Sequence, residues 1–202
     1  GVVVKKTEDG QLVYDFEGKS ASSSAEPVYH TISTPNGGQY HVVLPDGTRV
    51  WLNASSRLKF PTVFDGAQRT IEFAGEGYFE VSPDHTKPFI VQTDKETVKV
   101  LGTEFNMNAY PDDITSRTTL LKGRVEVSAQ KSDNSAVRIL NPGQQSIIRG
   151  QDIKIRNVDT TEAVAWKNGE FMFNRESIES VMRKIARWYD VEVKFAGKPK
   201  MG

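Results

Sequence analysis

The residues able to act as ligands, acids, bases or nucleophiles are few, and their spacing tests each kind of chemistry in turn. His30, His41 and His85 lie 11 and 44 residues apart in separate segments. There is no HExxH, no histidine pair one helical turn apart, no cysteine and no EF-hand loop, so neither a metal centre nor a cofactor is expected. Asp112 and Asp113 follow Pro111 and read as a turn tip, where Asp is common for backbone reasons. Glu76 and Glu80 flank Tyr78, so all three share one strand face and have the form of a glycosidase acid/base pair. With Trp51 they also suggest a carbohydrate surface. Alternation puts polar side chains on every outward sheet face, however, and produces such neighbours without any chemistry. Ser22 to Ser24 sit in a small-residue stretch with no GxSxG elbow. Gly37-Gly38 lacks the Lys-Ser/Thr of a phosphate loop and reads as a bulge or tight strand entry.

Composition narrows the classes further. The chain has 202 residues with 26 basic and 26 acidic side chains, a formal net charge of zero. A neutral chain has no electrostatic pull towards nucleic acid or an anionic lipid surface, and direct contact with either is not expected. No stretch approaches the roughly 18 apolar residues of a membrane span. Gly1-Val-Val-Val-Lys5 has no basic n-region or long apolar core, so no signal peptide is read there, and any anchor is expected outside this sequence. The lack of cysteine removes disulfides, thiolate metal sites and thiol nucleophiles together.

The hydrophobic pattern supplies the elements. Residues 1–30 read as an entry tether, small and polar around Gly18 to Pro27, with a short strand near Leu12. Residues 31–157 read as short strands throughout. In one hairpin Val42 and Leu44 share a face with Val50 and Leu52, Arg49 and Trp51 take the other, and Pro45-Asp46-Gly47-Thr48 makes the turn. Ile71 and Phe73, Phe79 and Val81, Phe89 and Val91, Phe105 and Met107 repeat the alternation. Two antiparallel sheets packed face to face, or a roll, are predicted. The pattern switches at Trp166. Residues 158–202 predict a small β-α-β unit: a strand over 170–173, a helix capped by Asn174, and a strand over 190–195. The helix carries one apolar stripe, Ile178, Val181, Met182, Ile185, Trp188 and Tyr189, in which Trp188 is expected to be buried. Glu176 and Glu179 lie near its start and Arg183, Lys184 and Arg187 near its end, as the macrodipole favours.

Three segments in order, TPNGGQYHVVLPDGTRVWLN (34–53), GEGYFEV (75–81) and VLGTEFNMNAYPDD (100–113), resemble the periplasmic domain of FecR-type anti-sigma factors. The resemblance spans roughly residues 31–195. It implies a jelly-roll-like β-sandwich acting as a non-enzymatic signalling module in a single-pass inner-membrane protein. The partners it implies are the signalling domain of a TonB-dependent outer-membrane transducer and, through an N-terminal region outside this sequence, an ECF sigma factor. The β-α-β unit resembles the first half of a short domain similar to transducer signalling domains and secretin modules. Some members of this family are cut at a Gly-Thr bond, which marks Gly102-Thr103 as a candidate for self-cleavage. There the threonine hydroxyl would attack the preceding carbonyl. A carbohydrate-binding or glycan-processing β-sandwich is the alternative reading.

Overall fold

The computed structural model describes residues 2–6, 12–16, 28–130, 137–174 and 176–197. The entry region contributes a hairpin, β1 (Val2–Lys6) with β2 (Leu12–Phe16), which continues one sheet by pairing parallel to β4 (Tyr40–Val43). Part of the expected tether is therefore strand; Ser22 to Ser24 lie outside the described residues. From β4 that sheet proceeds through β5 (Arg49–Leu52), β7 (Arg69–Glu80), β10 (Glu104–Ala109), β11 (Ser116–Lys122), β14 (Gln144–Arg149) and β15 (Asp152–Asn157). A second face is built from β3 (Tyr29–Ser33), β6 (Arg57–Pro61), β8 (Phe89–Gln92), β9 (Glu96–Val100), β12 (Val125–Ala129) and β13 (Arg138–Leu140). Pairing is antiparallel except at β2–β4 and β7–β8.

The two faces are joined through one strand. The first half of β7 pairs with β6 and β8, and its second half, from Gly75, pairs with β5 and β10. The sandwich is thereby nearly closed into a barrel. At the crossover Gly75 has φ +110, and a Cβ there would lie 2.3 Å from Ser56 Oγ. Only glycine allows that approach. It lets Ser56 Oγ accept from Glu76 N at 2.9 Å while donating to Glu76 O at 3.1 Å.

The core follows from the alternation. Val42, Leu44, Val50 and Leu52 are buried, as are Ile71, Phe73, Phe89, Val91 and Met107. Phe79 stacks on Phe105 with ring centres 4.9 Å apart and meets Phe73 edge-on. Burial of such rings contributes most of the stability, about 25 cal/mol per Å² of apolar surface. The Pro45–Thr48 turn does more than reverse the chain. Asp46 accepts from Thr48 and forms a buried ion pair, 2.7 Å, with Arg69 Nη1 at the start of β7. Arg69 also donates to the Lys87 and Ser82 carbonyls.

The C-terminal segment departs from the expected β-α-β. A short helix α1 (Thr160–Val164), capped by the Asp159 carboxylate, leads into a 3-10 turn, Ala165–Asn168. Helix α2 runs Ile178–Tyr189. Its cap is Ser177, which accepts from Ser180 N, rather than Asn174. Segments 170–173 and 191–195 form no ladder among the described residues, and isolated strands are not stable.

One buried charge gives the sandwich a pH dependence. Glu96, at the start of β9, is fully buried; Thr118 donates to its Oε2 at 3.1 Å. Burial raises its pKa from 4.5 to about 7, with Asp94 adding to the rise and Ser116, Thr118 and Lys95 opposing it. Below 4.5 the carboxyl is protonated folded or unfolded. Between 4.5 and about 7 only the unfolded chain ionises, so stability falls as pH rises through that window and levels off above it. Urea unfolding of wild type and Glu96→Gln at about pH 4.5 and pH 8 checks this. The variant is expected to lack a loss on the order of 3 kcal/mol that wild type shows.

Candidate functional site

Outward-facing side chains on the β7–β10–β11 sheet line up across the strands. Cross-strand register places His41, Trp51, Tyr78, Asn106, Thr119, Gln145 and Arg156 in one row. His41 stacks on Trp51 at 4.2 Å, and Trp51 meets Tyr78 edge-on at 5.6 Å. The aromatic end is covered. The 3-10 turn sets Lys167 Nζ over both rings, 4.0 Å from Trp51 and 4.4 Å from Tyr78, within 3.8 Å of Glu80. Burial, with help from Glu104 and Glu80, pushes the Tyr78 hydroxyl up to about 12. Burial, then Arg49, holds the His41 imidazole below its usual value.

This placement settles where the predicted acid pair lies. Glu76 and Glu80 do flank Tyr78, but each is engaged. Asn53 and Asn106 donate to Glu76, while Glu80 pairs with Arg49 and Lys167. The Trp51–Tyr78 face carries a lysine where a stacked sugar would need open rings. Of the histidines, His30 is on β3, His41 on β4 and His85 in an exposed loop. No three His, Cys, Asp or Glu side chains gather into a metal-holding group among the described residues.

Gly102 and Thr103 lie at the entry to β10. Gly102 has φ +149, and a Cβ would meet Pro83 Cα at 2.8 Å. Thr103 is buried, its Oγ1 donates to the Arg124 carbonyl at 3.1 Å, and its carbonyl accepts from Val81 N. A cleft beside the bond is lined by Glu80, Glu104, Arg49 and Lys122.

The C-terminal unit is fastened to the sandwich at polar points. Trp166 Nε1 donates to Asn106 Oδ1 at 3.0 Å, and Gln39 Nε2 donates to Trp166 O. Helix α2 lands on two loops. Arg187 places its guanidinium 3.7 Å from the Tyr110 ring centre and donates to both Asp112 oxygens at 2.8 Å; Arg183 donates to Asp113 at 2.9 Å. From the other loop Gly37 N donates to the Arg187 carbonyl and Asn36 to Asp190. Beside this landing α2 carries an apolar cluster that stays partly open. Phe171 packs on Phe173, Trp188 and Tyr189, yet Phe173 is 42% and Tyr189 62% exposed. Trp188 is half-buried in this cluster rather than fully buried.

A family model described as FecR protein matches residues 30–126, and one described as FecR, C-terminal, matches residues 170–201. A crystal structure of a putative anti-sigma factor from Parabacteroides distasonis is 38% identical with a TM-score of 0.77, over 82% of this chain and 76% of that one. The chain belongs to the FecR family of anti-sigma factors. A second structure under the same description is 39% identical, TM-score 0.76, over 81% and 76% of the two chains. No curated protein matches. The two FecR matches fall on the sandwich and on the α2 segment with its open flank. No helix among the described residues is long and apolar enough to cross a membrane.

The α2 landing rests on Arg187. Its loss removes a two-oxygen ion pair and a guanidinium–ring contact, together on the order of 2 kcal/mol of docking. Limited proteolysis of Arg187→Ala is expected to cut residues 170–197 several-fold faster while leaving the sandwich intact; equal rates would refute this docking role.

Proposed function

We propose that this FecR-family chain is the periplasmic relay of a membrane-anchored anti-sigma regulator. In this reading it binds the signalling domain of a TonB-dependent outer-membrane transducer, and an N-terminal region of the same protein holds an ECF sigma factor. The supporting observation is the open apolar flank of α2, which lies inside the C-terminal match. An aromatic cluster exposed on a helix of a neutral protein is the anatomy of a protein-binding surface. The sandwich is the rigid base, and the polar landing lets α2 present that flank in a defined orientation.

The relay works by binding. A transducer that engages the flank differently in two receptor states shifts the equilibrium of the whole regulator by the difference in its affinities. Residues 1–30, 31–157 and 158–202 act in this proposal as entry segment, base and partner-binding unit. Cleavage at Gly102-Thr103 has no part in this relay: the Thr103 hydroxyl donates to Arg124 O, which holds it in an ordinary structural role.

Titration calorimetry with a purified transducer signalling domain tests the reading. Wild type is expected to bind, Tyr189→Asp to weaken binding about tenfold or more by placing a charge on the flank, and Thr103→Ala to bind as wild type. Failure of wild type to bind any signalling domain encoded beside its gene would overturn the proposal.

A further inference from the structure

Between the outward face of the β10–β11–β14 sheet and the helices lies a second, polar cleft of about 340 Å³, within the range of roughly 300–1,000 Å³ usual for small-ligand sites. It adjoins the aromatic cluster of α2, since Glu162 and Lys184 also border the pocket lined by Phe171, Phe173 and Trp188. Its floor is the row next to that of Tyr78: Glu76, Asn108 and Arg117 on β7, β10 and β11. Helix α1 packs across β11 and supplies Glu162; α2 supplies Arg183 and Lys184.

Several charged groups in the cleft are engaged within the chain, Arg183 and Lys184 by an opposite charge and Arg156 and Glu76 by neutral amides. Arg183 pairs with Asp113, Lys184 with Glu176, and Arg156 donates to Gln145. Glu76 is held by Asn53 and Asn106. Three groups remain. Asn108 is 93% buried (7% exposed), and its Oδ1 has no hydrogen-bond partner among the described residues. That is a costly omission for an amide oxygen inside a fold, about 1–3 kcal/mol. Arg117, directly opposite Asn108 in register, and Glu162, above on α1, form no ion pair or hydrogen bond among the described residues, although both are half-buried and line the same space. They share a cleft without reaching one another.

We infer that this cleft binds a small zwitterion carrying an ammonium and a carboxylate, a free amino acid or short peptide. Arg117 takes the carboxylate through its forked donors. Glu162 takes the ammonium, which has donors and no acceptor, and Asn108 lies on the floor between the two charges. A simple anion would meet Glu162 and Glu76, a simple cation would meet Arg117, and a neutral polyol would leave both charges facing uncharged groups in a partly desolvated space. Only a ligand with both signs answers both walls.

The test is titration calorimetry of the full chain with L-alanyl-L-alanine, its N-acetyl form, its C-terminal amide and maltose. Arg117→Gln and Glu162→Gln are run beside wild type, with near-UV circular dichroism as the fold control. Neither substituted side chain has a partner among the described residues, so the folds are expected to be unchanged. Saturable binding of the dipeptide is expected, weakened about tenfold by each substitution and by each cap, which is one charged contact's worth. No saturable heat with the dipeptide up to about 10 mM would overturn the inference. So would equal binding of the capped forms, binding of maltose in place of the dipeptide, or variants that bind as wild type. Transducer binding is tested at Tyr189, which does not line this cleft, so either reading can fail while the other stands.

Discussion

Every other feature of this molecule depends on one strand being shared by two sheets. The twelve residues of β7 leave one face and enter the other at Gly75, where the backbone passes against Ser56 at a distance no side chain tolerates. That crossing fixes the register of β5 and β10 on one side and of β6 and β8 on the other. The Asp46–Arg69 pair locks the same strand at its start. A strand in two sheets also cannot slide in either without exposing its apolar side chains.

The outward face of the same strand decides where the C-terminal unit sits. Tyr78 and its neighbour Asn106 accept Lys167 and Trp166 from above. The ends of β3 and β10 provide the two loops on which α2 lands. These attachments are polar, with Arg187 at their centre. The core of the sandwich is apolar and continuous. The molecule thus joins a part held by hydrophobic burial to a part held by charge, and the second opens more easily than the first. An apolar flank carried by a weakly held helix suits a surface that must change its availability.

Much of this could be read from residue order. The Val42–Leu52 hairpin, the inward rows and the helical stripe all follow from period, because burial of one face is a local demand on sequence. What depends on distant neighbours could not. The alternation at Ile71–Phe73 and at Phe79–Val81 reads as two strands, since Gly75-Glu76-Gly77 looks like a break; a partner on each side makes it one. Glu96 follows Asp94 and Lys95 and reads as a solvated turn, although Thr118 from another strand waits for it inside. Helix α1 was missed in the sequence, although Asp159-Thr160-Thr161-Glu162 carries an acid-first pattern of the capping-box kind. Strands at 170–173 and 190–195 have the right composition but no ladder among the described residues. The unpaired Asn108, Arg117 and Glu162 belong to three elements and meet only in the folded chain.

A salt-sensitive landing holds α2 on a sandwich whose stability is not salt-sensitive. Native-state hydrogen exchange at about 0.05 M and 0.5 M salt, resolved by residue, measures it most directly. The α2 amides should open at a lower free energy than those of β7 and β10, and that opening should become easier at high salt while the β7 value barely moves. Exchange of α2 only together with β7, at the same free energy and with no response to salt, would contradict the account.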